Sequence, residues 1–267
     1  DRQSGPQILR FGSDRARATI LPRIAAGECF FAIGMSEPGA GSDLAAVRTR
    51  ATQVEGGWRI NGSKIWTSGA HRVHYLIALA RTAAPSENRH AGLTQFIVDL
   101  GLPGVTTRPV INLAGEHDFN EVFFDDCFVP DDMVIGQPGS GWQTVTGELA
   151  FERSGPDRFL SDFALLAGLV DRVGVAPSEV AAGEIGRLVA DLYGLREMST
   201  SVALLLDRGE DPSLEASIVK DMGTTFEREI PEVARSLVPI DPDPDAPDRF
   251  TRIFAKTLLQ APSFTLR

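Results

Sequence analysis

From Cys29 to about Ile135 the apolar positions come in short runs rich in β-branched and aromatic residues: "VRTRATQV", "GWRI", "SKIWTS", "HYLIALA", "LTQFIVDL", "VTTRPVI" and "NEVFFDDCFV". Turn chemistry divides them, with Gly56-Gly57 and Asn61-Gly62 reading as tight-turn pairs and "LPG" at 102–104 as a further break. About seven strands without an intervening helix predict an antiparallel β-barrel or sandwich and exclude a strand-helix-strand dinucleotide fold. After "GQPGSGW" (136–142) the period changes. Leu188, Leu192, Leu195, Met198, Val202 and Leu205 recur every three or four positions, as one face of an amphipathic helix does. "PSLEASIVKDMGTTFEREI" and "DRFTRIFAKTLLQAPSF" read likewise, so this half is an α-helical bundle. The expected organisation is α+β and multidomain: residues 1–28, where "SDRARATILPRIAAG" reads as a helix and its exit, a β-domain over 29–135, and a helical domain over 136–267.

Composition narrows the function classes. Hydrophobic residues make up 43% of the 267, enough for a substantial core. A formal charge of −10 disfavours nucleic acid as the main partner, because phosphate neutralisation needs clustered Lys and Arg. Neither a run of eighteen apolar residues nor a basic-then-apolar leader is visible, so the expectation is a cytoplasmic protein without a membrane span. Lys64, Lys220 and Lys256 are the only lysines among 26 basic residues, a bias that hints at a GC-rich bacterial gene. Cys29 and Cys127 stand far apart, which points to buried thiols rather than a disulfide or a zinc site. Asp241, Asp243 and Asp245 imitate a calcium loop, but Ala246 and Arg252 stand where Gly and Glu are needed. His71 and His74 fall in a segment that reads as strand, with no Glu between them, so no metal is expected.

The chemically loaded stretch is "GMSEPGAGSD", Gly34 to Asp43, with three glycines, a proline, two serines and two carboxylates in ten residues. It reads as a loop, since Gly and Pro are penalised inside helices and strands. A Gly-rich loop with serines can cradle an anion, and a plain turn fits the composition equally well. It has neither the third glycine of a dinucleotide fingerprint nor the Gly-Lys-Ser/Thr end of a P-loop. A second stretch, "INGSKIWTSGA" (60–70), sets Trp66, Thr67 and Ser68 at the end of another strand. An aromatic plane beside two hydroxyls suits a flat heterocycle with polar edges.

With "SEPGAGSDLAAVRTRA", "INGSKIWTSGA", "PVINLAGEHDFNEVFFDDCFVPDDMVIG" and "GSGW" in that order, the chain resembles the acyl-CoA dehydrogenase family. The resemblance implies FAD as cofactor and the dehydrogenation of an acyl-CoA thioester at its α and β carbons, in fatty acid or sterol degradation. It implies that Ile33, Met35, Ser36, Gly41 and Ser42 line the flavin, with Ser42 also reaching the acyl-CoA, and that Trp66, Thr67 and Ser68 pack beside the ring. It further implies an electron-transfer flavoprotein as acceptor, a homo- or hetero-oligomer, and residues 1–28 as the remnant of an N-terminal helical domain.

The same resemblance assigns the base. Most members carry a Glu before a Gly-Thr-x-Glu segment close to the C-terminus, about where this sequence stops at "LLQAPSFTLR". A minority place it on the first helix of the bundle before an Arg, which here is Glu152, in "GELAFERSG", with Arg153 as substrate-binding neighbour and Glu148 one turn earlier. Both glutamates also fit a plain surface helix. "FLSDFALLAGLVDRVGVAPSE" stands where the family has an Arg-x-x-Phe-Gly element that reaches a neighbouring subunit's FAD, which raises the expectation of a heteromer. Two alternatives stay open: a non-catalytic scaffold subunit beside an active paralogue, and an acyl-CoA oxidase.

Overall fold

The computed structural model describes residues 3–84 and 86–266, the side chains of Glu148, Ala150 and Leu266 excepted. By packing the chain divides into two compact units, Asp1–Glu148 and Leu149–Arg267.

The first unit opens with two helices, α1 (Ser4–Phe11) and α2 (Asp14–Ala25), where one was expected. Ser13 separates them, capping α2 by accepting from the Ala16 amide. Ile8, Ala16 and Ile20 of these helices pack with Cys29, Ile77, Ile97 and Ile135, so residues 1–28 share a core with the sheet that follows.

That sheet comprises β1 (Phe31–Gly34), β2 (Arg50–Val54), β3 (Gly57–Lys64), β4 (Tyr75–Arg81), β5 (Leu93–Asp99), β6 (Val105–Val110), β7 (Phe119–Pro130) and β8 (Val134–Ile135). The strand order is β6-β7-β3-β2-β4-β5-β8, with β1 branching from β4. The α+β class holds, and a closed, all-antiparallel barrel is too loose a description of the sheet. Among the described residues nothing pairs β6 with β8, so the sheet is open, and β1 and β2 both run parallel to β4. Strand β4 shows why the parallel pairs escaped the sequence. Leu76, Ala78 and Ala80 face one core while Ile77 and Leu79 face two others, so burial on both sides erases the alternation that marks a half-exposed strand.

Two turn expectations part company. Gly56 has a φ of 75° in the β2–β3 hairpin, where Val54 pairs with Gly57. Asn61-Gly62 is instead a bulge inside the single strand β3, where the register against β7 shifts between Ile60 and Gly62. Gly62 takes a φ of 140°, and a Cβ there would stand 2.7 Å from the Thr49 Cα. His71 lies in a short 3-10 turn, Ala70–Arg72, and His74 just ahead of β4, so neither is on a strand.

Helix α3 (Gly141–Arg153) runs across the boundary of the two units. The second unit holds α4 (Phe163–Val173), α5 (Glu179–Asp207), α6 (Ser213–Leu237) and α7 (Arg249–Gln260). The expected stripe on α5 is buried at every seventh residue, Leu188, Leu195 and Val202. Leu188 and Leu195 pack with Leu165, Leu169, Phe226, Ile230 and Phe254. Helix α6 outruns the expected stretch ending at Ile230, continuing through Pro231 to Leu237. Both cysteines are free and buried. Among the described residues no helix is long and apolar enough to cross a membrane.

Candidate functional site

Two motifs that lie apart in sequence are stitched together in the first unit. Glu37-Pro38-Gly39-Ala40 forms a tight turn closed by reciprocal backbone bonds, Glu37 N–H to Ala40 O at 2.9 Å and Ala40 N–H to Glu37 O at 3.0 Å. The turn drives the Glu37 side chain inward. Its carboxylate accepts from the amides of Arg48 (2.6 Å) and Thr49 (2.9 Å) and from the Lys64 ammonium (2.8 Å). Lys64 is 0% exposed and also donates to the Met35 carbonyl at 3.1 Å. The Ile65 amide donates to the Ser36 carbonyl at 2.9 Å, completing the seam.

The electrostatics of this pair follow from burial. Desolvation pushes the Lys64 ammonium down to about 8 against the pull of Glu37. Desolvation also works to raise the Glu37 carboxyl, but the Lys64 cation and the hydrogen bonds outweigh it and hold the group below its usual range. Neither residue was singled out from the sequence. The available signal was a lysine closing a strand whose other inward positions are apolar, readable only once the bulge at Gly62 is counted.

Beyond the seam stands Trp66. It is 57% exposed between the fully buried Lys64 and Thr67, and its φ of 59° places a bulky side chain in the left-handed region. Such a conformation costs about 1–3 kcal/mol and persists only where neighbours impose it. Here they do: Ile65 is tied to Ser36 on one side, and Thr67 exchanges two 3.0 Å backbone bonds with Asn120 on the other. Phe119 meets the indole edge-on, with ring centroids 5.8 Å apart. Among the described residues the buried Thr67 hydroxyl oxygen has no hydrogen-bond partner. Ser68 follows, exposed.

Asn120 organises the far side of this segment. Its amide nitrogen donates to the Thr67 carbonyl (3.0 Å) and to His71 Nδ1 (3.0 Å), while its Oδ1 accepts from His117 Nε2 (2.8 Å). A carbonyl only accepts, so the Thr67 bond fixes which way the amide points. The two imidazoles stack with centroids 3.6 Å apart. Burial, the neighbouring His117 and Arg72 hold His71 below the usual imidazole range.

The remaining expected residues fall around this wall. Ile33 is half-buried in β1 opposite Ile77, and Met35 packs into the cores beneath. Gly41 and Ser42 lie exposed just after the turn. At Gly39 and Gly41 neither a left-handed φ nor a neighbouring atom demands glycine, since a Cβ at either would meet open space.

In the second unit Glu152 and Arg153 end α3. The Glu152 carboxylate, 20% exposed, accepts from Arg158, which no sequence motif marks. Arg153 donates to Ser217 Oγ on α6 at 3.0 Å. The side chain of Glu148 lies outside the described residues.

The family model of the acyl-CoA dehydrogenase middle domain matches residues 32–127. Acyl-CoA dehydrogenase IpdE1 of Mycobacterium tuberculosis is 38% identical over 240 residues, covering 88% of this chain and 61% of that protein, so the chain spans under two thirds of the relative's length. Among solved structures, the G363A variant of the Tcur3481-Tcur3483 steroid ACAD superposes with a TM-score of 0.89 at 26% identity, over 99% of this chain and 71% of that one. The ChsE4-ChsE5 complex from Mycobacterium tuberculosis does so with a TM-score of 0.82 at 27% identity, over 99% and 71%.

Proposed function

The chain belongs to the acyl-CoA dehydrogenase family, and on that premise we propose that it acts in the FAD-dependent α,β-dehydrogenation of an acyl-CoA thioester to the trans-2-enoyl-CoA. The observation that carries this reading is the strained, exposed Trp66 beside the unpartnered buried hydroxyl of Thr67, held by a seam that joins both family motifs. An aromatic plane kept out of the core at a cost in backbone strain, next to a buried polar atom lacking a partner, fits a flat ligand with polar edges. The open space at Gly39 and Gly41 fits close approach of a ligand to the backbone.

The residues that would hold FAD are Ile33, Met35, Ser36, Gly41, Ser42, Trp66, Thr67 and Ser68. When bound, FAD supplies the acceptor for the hydride that leaves the β-carbon. The α-proton of a thioester is weakly acidic, so its removal needs a positioned carboxylate, and Glu152 is assigned that task. Ser42 and Arg153 are assigned to the acyl-CoA, and an electron-transfer flavoprotein to reoxidation. The neighbour described as a ChsE4-ChsE5 complex supports a functional unit of two kinds of chain. Its companion described as a steroid ACAD supports a sterol-derived acyl group.

One observation favours a second reading. Arg158 already occupies the Glu152 carboxylate, as befits a scaffold subunit whose active paralogue supplies the base. The variant Glu152→Gln decides between them, because it keeps shape and hydrogen-bonding reach but removes the basic site. Mixed anaerobically with acyl-CoA in a stopped-flow instrument, it should retain flavin and substrate binding while flavin reduction slows by about a hundredfold or more. Reduction at the wild-type rate contradicts the catalytic reading and supports the scaffold.

A further inference from the structure

Arg158 sits on the short 3-10 turn Pro156–Arg158, six residues beyond the carboxylate it meets. Its side chain is 6% exposed. Nη2 donates to Glu152 Oε1, and Nε donates to the backbone carbonyl of Glu152 at 3.2 Å, so one guanidinium grips both the side chain and the main chain of the same residue. A second, longer ion pair reaches the same guanidinium. Asp157 Oδ2 lies 3.9 Å from Arg158 Nε and is half exposed, and Arg153 is turned onto Ser217, the uncharged residue that α6 presents to it.

The turn itself is anchored. A Cβ at Gly223 on α6 would collide with the Arg158 carbonyl oxygen, so this glycine is what allows helix and turn to touch. The Phe159 amide closes the turn onto the Pro156 carbonyl at 3.2 Å, and its side chain enters the core of the second unit. A buried guanidinium on an anchored turn, bound to both the side chain and the main chain of Glu152, has little freedom to follow a moving carboxylate.

We propose that Arg158 is a positioning residue for Glu152, holding its carboxylate in one orientation for proton abstraction. The proposal rests on the reading of Glu152 as the base. Arginine suits the role because its planar fork engages two acceptors at once, which a lysine ammonium on a flexible stem does not reproduce.

The test is a cycle of four full-length, flavin-loaded proteins: wild type, Arg158→Gln, Glu152→Gln and the double variant. Arg158→Lys is added, and all are mixed anaerobically with acyl-CoA. Arg158→Gln should slow flavin reduction by about tenfold to a hundredfold, the scale of a misplaced reacting group, with acyl-CoA affinity within about twofold. Arg158→Lys should recover part of the rate, and Arg158→Gln should cost nothing further once Glu152 is Gln, because residues that act as a unit are not additive. Equal slowing in both backgrounds, or a wild-type rate in Arg158→Gln, overturns the positioning role. A wild-type rate in Glu152→Gln overturns the base and the positioning role together. Thermal unfolding of the same four proteins then asks about the pair alone, and additive losses overturn the ion pair itself. If Arg158→Gln fails to retain flavin, Arg158→Lys carries the comparison, and a wild-type rate in that variant overturns the proposal.

Discussion

Glu37 and Glu152 are both carboxylates bound to a cation, one in each unit, and their surroundings differ. Glu37 is 7% exposed, and two backbone amides and a fully buried lysine fill its acceptor sites. Glu152 is 20% exposed and is held by Arg158 at the end of a helix. A carboxylate saturated with donors in the interior has nothing left to offer a proton, and its worth lies in what it ties down. One held by an arginine at a helix end and still reached by solvent can meet a ligand. The comparison separates a clamp, which shapes the wall where Trp66 stands, from the residue assigned to proton removal.

The largest effect should come from breaking the clamp. Lys64→Met leaves Glu37 buried without its cation, and removing one partner of a buried pair costs about 3–5 kcal/mol. Chemical denaturation should show that loss, and the double variant Glu37→Gln/Lys64→Met should regain part of it. The pH dependence sharpens the point. The folded Lys64 titrates near 8 and the unfolded lysine at its ordinary 10.5. Over that window the unfolded chain binds more protons, so stability from this group rises with pH. Glu37 acts in the acid range: its contribution is full above the ordinary carboxylate pKa and is lost as pH falls through its lowered folded value. The stability difference between wild type and Lys64→Met should therefore grow from about pH 8 to 10.5, and a flat difference contradicts the burial of this pair.

Next in size is the wall itself. Trp66→Ala should weaken FAD retention by a few kcal/mol, since a stacked plane and its area are lost. Trp66→Gly relieves the left-handed strain and should cost the FAD-free chain less than about 1 kcal/mol while weakening FAD as much. Ultrafiltration with flavin fluorescence measures the first quantity and denaturant unfolding the second. Unchanged FAD affinity in both variants contradicts a ring placed beside Trp66. The smallest effect belongs to Asn120→Ala, which removes the side-chain bonds to Thr67 and both histidines but leaves the backbone pair. It should lower stability by about 1–3 kcal/mol, with a weaker loss of FAD than Trp66→Ala.

These differences also explain what was legible in the sequence. Strands with flanking turn residues, the α5 stripe and the two motifs announced themselves, because each depends on neighbours a few positions away. The Glu37–Lys64 seam did not, since it depends on a bulge at Gly62 that read as a turn and on a pairing across 27 residues. Arg158 was hidden for a different reason. It is close to Glu152 in sequence, but its inward orientation depends on Gly223 of α6, which no local pattern reveals. The parallel pairs of β4 were masked by burial on both faces, and α6 passes through Pro231 because the packing of its flanks outweighs one missing donor.

The most direct test of the proposed chemistry is to titrate the full-length, flavin-loaded protein anaerobically with straight-chain, branched and steroid-derived acyl-CoA thioesters while recording the flavin spectrum and the acyl product by mass. The account predicts that at least one thioester bleaches the flavin and appears as the enoyl-CoA, two hydrogens lighter, in proportion to the flavin reduced. A flavin that stays oxidised with every thioester, or one that bleaches without an enoyl product, contradicts it.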